Sequence, residues 1–375
     1  MTEKNSGKDH MTGCPHPQGK QEYASPRLVA WEVTRKCNLN CVHCRASSDR
    51  GPYPGELDKK TCFRVLDEIV QTGKPIVILT GGEPLLREDI FELSAYGTDR
   101  GLRMVMATNG TLISPEIAEK MMTSGIKRVS ISIDGANDEA HDQFRQVPGA
   151  FRGALSGIEV LRAAGMEFQI NTTVTKHNVD QIPDILDMAI RLGAVAHHIF
   201  LLVPTGRARD MVNQEIDAQA YEALLHWFYD MGRKVPIHLK ATCAPHYYRI
   251  LRQEARQRGE KVDYETYGLD AMTRGCLGGS SFCFISHDGI VQPCGYLELN
   301  CGDLKTLSFG AIWQDAPIFE KLRDFSSYGG KCGRCEYLKF CGGCRARAYE
   351  ATGDFLAEEP LCLYQPALEG VRGRG

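Results

Sequence analysis

A strong charge of either sign is missing from this chain. Its 375 residues set 44 lysines and arginines against 47 aspartates and glutamates, a formal net charge of -3. The two signs are interleaved, so there is no electrostatic footprint for nucleic acid or for an anionic membrane surface. Long apolar runs are missing too. No window approaches the roughly 18 to 20 uninterrupted apolar residues that span a bilayer. The opening stretch, MTEKNSGKDHMTGCPHPQGKQEYASP, has no apolar signal-peptide core. These absences predict a cytoplasmic globular protein with no membrane span, long enough for one large domain and a smaller one.

Cysteine, by contrast, is plentiful, with fifteen in the chain. Cytoplasmic thiols stay reduced, so tight clusters of them read as metal ligands rather than disulfides. Cys37, Cys41 and Cys44 stand together in CNLNCVHC. Cys276, Cys283, Cys294, Cys301, Cys332, Cys335, Cys341, Cys344 and Cys362 crowd the last quarter. Cys14, Cys62 and Cys243 are isolated and read as packing residues or free thiols.

Between the two cysteine regions the pattern alternates. RLVAWEVT, PIVILT, RMVMATN, KRVSISID, EFQINTTVT and AHHIFLLV read as strands, each followed by a segment of helical period, one of which opens with a Ser114 cap and Pro115 at its first position. Six such units predict an α/β fold with a parallel sheet, most simply a partial (β/α)6 TIM-type barrel; a doubly wound sheet fits the pattern as well. The expected organisation is a disordered leader over 1–25, the barrel over 26–235 and a bridge over 236–270 whose helix carries a solvated arginine face. A Cys-rich domain held by metal rather than by a core then covers 271–367, with a tail over 368–375. The polar signatures fall at consecutive strand ends: the cysteine loop, GGEP, TNG and SID. In a barrel these ends share one mouth.

Three clustered thiolates leave one position short of a closed four-ligand site. A zinc loop completed by His43 satisfies that count; so does an iron–sulfur cluster with one open iron. The spacing C-x3-C-x2-C directly after a first strand resembles that of the radical S-adenosylmethionine (SAM) superfamily. The resemblance implies a [4Fe–4S] cluster on Cys37, Cys41 and Cys44 whose open iron is filled by SAM. It further implies SAM contacts from Gly81, Gly82 and Glu83 of GGEP, from Asn109 of TNG, from Ser132 and Asp134 of SISID, and from Arg145 of HDQFRQVPGAF. His43 stands where the family usually has an aromatic residue that packs on adenine.

The later cysteines, C-x6-C-x10-C and then C-x2-C-x5-C-x2-C, contain paired knuckles that suit a zinc ribbon when taken alone. Joined to a radical SAM core they resemble the SPASM extension, which carries one or two auxiliary [4Fe–4S] clusters. By position, Cys276, Cys283, Cys294 and Cys344 would hold one, and Cys332, Cys335, Cys341 and Cys362 the other. The last interval is one residue shorter than the family pattern, which leaves Cys301 as a substitute for Cys344.

RLVAWEVTRKCNLNCVHCRASS, HDQFRQVPGAF and the paired cysteine fields together are similar to the haem-forming branch of the family. That branch implies a small-molecule iron porphyrin substrate, oxidative decarboxylation of two propionates of iron-coproporphyrin III to vinyl groups, and an electron donor such as flavodoxin or ferredoxin. The sirohaem and haem d1 branch and the peptide-modifying SPASM maturases share the individual motifs. The short polar stretch before the first strand leaves no room for the leader-peptide module common in the maturases. A substrate with four carboxylates calls for cations and tyrosines at the rim; Arg45, Arg207, Lys240, Tyr247 and Tyr248 are the candidates. His238 and His246 are possible neighbours of its iron, and CPHP near the start resembles a short haem-contacting motif.

Overall fold

The computed structural model describes residues 23–366. CPHP, Cys14 and the 368–375 tail lie outside that range, as does most of the expected leader. Residues 23–25 are held in place: Trp313 Nε1 donates to the Ala24 carbonyl at 2.9 Å, and the Gln314 amide bonds the Tyr23 backbone at 2.8 and 2.9 Å.

The strands are β1 (Leu28–Thr34), β2 (Ile76–Gly81), β3 (Arg103–Thr108), β4 (Val129–Ser132), β5 (Phe168–Val174) and β6 (Ala196–Leu201), then β7 (His238–Thr242), β8 (Phe282–Ile285), β9 (Ile290–Gln292) and β10 (Gly302–Asp303). They form one sheet in the order β10-β9-β8-β1-β2-β3-β4-β5-β6-β7. Every pair from β8 through β7 is parallel; β9 and β10 turn back antiparallel. The six expected units are all present, and their parallel succession from β1 to β6 gives the partial barrel.

Crossover helices cover one face. They are α1 (Lys59–Thr72), α2 (Ile90–Asp99), α3 (Pro115–Thr123), α4 (Asp138–Arg145), α5 (Ala150–Ala163), α6 (Ile182–Leu192), α7 (Ala218–Gly232) and α8 (His246–Gln257). Ser114 caps α3 as its sequence foretells, accepting from Ile117 N. From β4 to β7 the residues that meet the helices are buried and mostly apolar, Val129 and Ile131, Ile170 and Val174, Ile199 and Leu201, Leu239 and Ala241, while Thr172 and His197 on that side satisfy each other at 2.9 Å. Their neighbours point to the opposite face, because strand side chains alternate. That opposite face lines the barrel lumen.

Three expectations need correction. The stretch read as a bridge opens with β7, which extends the sheet beside β6. The arginines of α8 are not uniformly solvated: Arg249 is buried and pairs with Glu222 at 2.5 Å. The region after 271 is not held by metal alone, for β8 pairs with β1 and Phe309, Ile312, Trp313 and Phe319 join the main core. Among the described residues no helix is long and apolar enough to cross a membrane.

Candidate functional site

The cysteine loop leaves β1 and folds against the ends of β2 and α4. Two glycines permit this. A Cβ on Gly81 would stand 2.3 Å from the Thr34 carbonyl oxygen, and one on Gly82 2.3 Å from that of Lys36. Gly82 N and Glu83 N instead donate to these carbonyls at 2.8 Å each, stitching GGEP to the loop. The three thiols receive donors suited to anionic sulfur: Leu39 N reaches Cys37 Sγ at 3.4 Å, Ser48 N reaches Cys44 Sγ at 3.3 Å, and Arg145 Nη1 reaches Cys41 Sγ at 3.4 Å. All three pack together with Val147 and Ala150. Burial pushes the Cys37 thiol up to about 12, so its ionised form needs a positive partner.

Glu83 is fully buried beside them. Its carboxylate accepts from Thr108 Oγ1 at 2.7 Å and from Asn109 N at 2.8 Å. Burial nevertheless raises it to about 7. Asn109 joins the loop through Asn38, with Nδ2 donating to Asn38 Oδ1 at 2.8 Å. Ser132 ends β4, in register with Asn171 of β5. Asp134 and Arg145 form a buried ion pair, and Asp134 also accepts from Thr173 N at 2.7 Å. Arg145 Nε has no hydrogen-bond partner among the described residues. His43 stacks on Phe144 with ring centroids 4.2 Å apart and an interplanar angle of 12°, and its buried Nδ1 also has no partner among the described residues. Burial, then the charge of Arg145, holds His43 well below the usual histidine range, which leaves a neutral flat ring.

The candidates for substrate separate into two groups. Arg45 and Lys240 belong to the lumen. Arg45 pairs with Glu32 of β1 at 2.8 Å and lies over the Phe284 ring at 4.3 Å. Lys240 closes a polar row that runs across the sheet in register, Ser132, Asn171, His198 and Lys240, and the charges it faces are Asp270 and Arg27, the latter just before β1. Arg207, Tyr247 and Tyr248 do not reach the rim. Arg207 clamps the cysteine loop instead, donating to the carbonyls of Cys41 and Ser48 at 2.8 Å each. Tyr247 and Tyr248 are buried in the core, edge to face with each other at 5.6 Å.

Sequence reasoning missed Asn171 and His198, the middle of the row. The signal is the alternation Gln169, Asn171, Thr173 inside an otherwise apolar strand. His238 follows the same face as Lys240, whereas His246 lies elsewhere, buried against Glu359 at 2.8 Å.

In the C-terminal region Cys332, Cys335, Cys341 and Cys362 line one small cavity, together with His246, Arg249 and Gly343. Gly343 N donates to Cys341 Sγ at 3.4 Å, and Glu359 N and Arg345 Nη2 donate to Cys332 Sγ at 3.5 Å each. Although burial opposes it, Glu359 holds His246 protonated, up to about 9. The cavity therefore has positive walls, which suits four thiolates.

Cys294 and Cys344 pack in one cluster, and Cys276 joins that region through its N–H, which donates to the Cys341 carbonyl at 3.0 Å; Cys283 stands apart. It lies in the main core with Cys301 beside it. Cys243, read as a stray, packs against Cys344 and Cys294. Among the described residues no three His, Cys, Asp or Glu side chains close around a single metal ion.

Comparison with known proteins decides the family. An AdoMet-dependent heme synthase of Nitratidesulfovibrio vulgaris is 57% identical over 91% of this chain and 93% of its own length. Another from Methanosarcina barkeri is 55% identical over 91% of this chain and 97% of its own. The Radical SAM superfamily model matches residues 31–189.

The chain belongs to the radical SAM superfamily.

Its C-terminal part matches the SPASM model, described as an iron–sulfur cluster-binding domain, over residues 276–345. A mycofactocin maturase of Mycobacterium ulcerans is more distant, 32% identical over 90% of this chain and 88% of its own length. The fold is that of SuiB from Streptococcus suis, in a crystal structure bound to S-adenosylmethionine. The TM-score is 0.71 and the identity 19%, covering 91% of this chain and 78% of that one. As a radical SAM protein with a SPASM domain, the chain uses a [4Fe–4S] cluster, SAM and auxiliary iron–sulfur clusters.

Proposed function

We propose that this radical SAM enzyme converts iron-coproporphyrin III to haem b by oxidative decarboxylation of two propionate side chains. The carrying observation is the 57% identity, over nearly the full length of both chains, to a protein named AdoMet-dependent heme synthase. The maturases, at 32%, stand much further off.

Bound at Cys37, Cys41 and Cys44, a reduced cluster would supply the electron for reductive cleavage of SAM and so the means of removing a hydrogen from a propionate β-carbon. Each propionate then gives up one electron and carbon dioxide, and the two remaining carbons become a vinyl group.

The chain's own residues hold and orient the reactants. Cys37, Cys41 and Cys44 are the thiolates of the first cluster, and Arg207 keeps their loop shaped by its two carbonyl contacts. Glu83 and the Gly81–Gly82 backbone take the ammonium of SAM. Arg145 takes its carboxylate on the guanidinium edge left open at Nε, beside the Asp134 pair. Ser132, Asp134 and Asn109 face the ribose and amino acid part, and the neutral ring of His43 packs on the adenine.

Lys240, His198, Asn171 and Arg45 meet the porphyrin carboxylates. Burial lowers Lys240, opposed by Asp270, so a substrate carboxylate strengthens the charge there. Cys332, Cys335, Cys341 and Cys362, which line one cavity, would hold an auxiliary cluster able to take up the electron each propionate gives up. The enzyme works in the cytoplasm with a flavodoxin or ferredoxin as donor.

The test is anaerobic turnover of iron-coproporphyrin III with SAM and dithionite, followed by chromatography of the pigment. Haem b is expected. Production of 5′-deoxyadenosine with a peptide substrate but not with the porphyrin would transfer the chain to the maturases.

A further inference from the structure

The thiols that remain do not divide as their spacing implies. We infer that Cys243, and not Cys283, completes the ligand set of the auxiliary cluster held by Cys276, Cys294 and Cys344. The inference rests on the iron–sulfur reading of the C-terminal domain and is independent of the substrate.

The first observation is proximity. Cys243 and Cys294 pack against Cys344, Val203, Leu297 and Ala346 in a cluster separate from the main core.

The second is the face of the sheet. Cys283 stands opposite Val29 in the β8/β1 register, on the side that packs against the helices, and is fully buried there. Phe284, its neighbour, points to the other side and carries Arg45 over its ring. Gly295, directly after Cys294, lies against that same ring and Arg45, within 3.3 Å of a Cβ placed on it. The sheet therefore separates Cys283 from Cys294.

The third is backbone conformation. Cys243 has φ of 55°, in the left-handed region that a residue with a Cβ rarely adopts. Its carbonyl is fixed there by Tyr221 Oη at 3.3 Å and Arg347 Nη1 at 3.2 Å. Strain of this kind persists where the surroundings over-determine it, commonly at functional sites. Here it turns the chain at the end of β7 so that the Cys243 thiol meets Cys344.

With four thiolates the auxiliary cluster has no open iron. It then exchanges electrons and does not bind substrate directly.

The test uses the full chain, reconstituted anaerobically, with Cys243→Ala, Cys243→Ser, Cys283→Ala and Cys283→Ser. Iron and acid-labile sulfide are counted per chain, and EPR spectra are taken after dithionite reduction. Cys243→Ala is expected to lose about four irons. Cys243→Ser keeps them with shifted g-values or loses them as well, and both Cys283 variants match the wild type. The change that SAM induces in the EPR signal of the first cluster, seen in every variant, shows that the barrel is folded. Loss of iron from the Cys283 variants, or wild-type iron and spectra in both Cys243 variants, overturns the inference. A wild-type chain that holds only about four irons would instead overturn the reading of the domain beneath it.

Discussion

At the scale of single residues the site depends on groups that burial has made responsive to charge. Glu83 is the leading case: enclosed at the ends of β2 and β3, it is raised to about 7, so near neutrality only part of it carries the charge that an ammonium needs. SAM binding should therefore strengthen as pH rises through about 7, since the carboxylate form is the one that binds. Glu83→Gln should weaken SAM binding at least tenfold, about 1.4 kcal/mol, and flatten that pH dependence. Isothermal titration at several pH values reads both effects. Lys240 gives a parallel prediction for the porphyrin. Lys240→Ala should raise its Kd about tenfold in a Soret titration; an unchanged Kd would remove Lys240 from the substrate site.

These two residues also show how far sequence reasoning reached. The position of Glu83 at a strand end against the cysteine loop was legible from GGEP. Arg207, Tyr247 and Tyr248 have the right chemistry for carboxylates, but their chain neighbourhood does not reveal which way they face. Arg207 turns inward to backbone carbonyls, and the tyrosines go into the core.

At the scale of elements, β1 does more than lead into the cysteine loop. Its Glu32 is fully buried on the lumen face and meets Arg45 at 2.8 Å, Arg35 at 3.0 Å and His287 at 3.1 Å, tying β1 to the loop and to the turn after β8. Burial alone would raise its pKa; these partners overcome that and hold it at about 2 against an ordinary value of 4.5. A depressed carboxylate contributes stability above its unfolded pKa, and that contribution is lost as pH falls through about 2. Glu32→Gln should then cost about 3 kcal/mol at neutral pH. In denaturant titrations the gap from wild type should narrow steadily below about pH 4.5. A gap independent of pH would show that packing, not charge, is what Glu32 supplies.

The first six strands were readable because each carries a buried apolar run. β7 was not, because HLKAT has only Leu239 and Ala241 on its core face and polar residues on the other. β8 was hidden for a different reason. FCFI lies inside a cysteine field, where metal spacing dominates the pattern, and its pairing with β1 is a contact between the two ends of the chain.

At the scale of the whole molecule the C-terminal domain grips the barrel through buried charge. Arg347 donates to the carbonyl of Leu202 at 2.9 Å beyond the end of β6, to that of Cys243 at 3.2 Å, and pairs with Glu359 at 3.0 Å. One guanidinium thus links a barrel strand end to the segment that leads to Cys362. This arrangement sets Cys344, packed with Val203 and Cys243, beside the carboxyl ends of β6 and β7. Full reconstitution should give about twelve irons per chain, and Cys344→Ala about eight. Cys335→Ala should also fall to about eight, through loss of the other auxiliary cluster.

The account stands or falls on chemistry at that lumen. The most direct measurement is anaerobic turnover of iron-coproporphyrin III, counting 5′-deoxyadenosine and carbon dioxide against the pigment formed. The account predicts haem b with about two of each per porphyrin, since each vinyl group costs one hydrogen abstraction and one decarboxylation. Cleavage of SAM with the porphyrin recovered unchanged would contradict it.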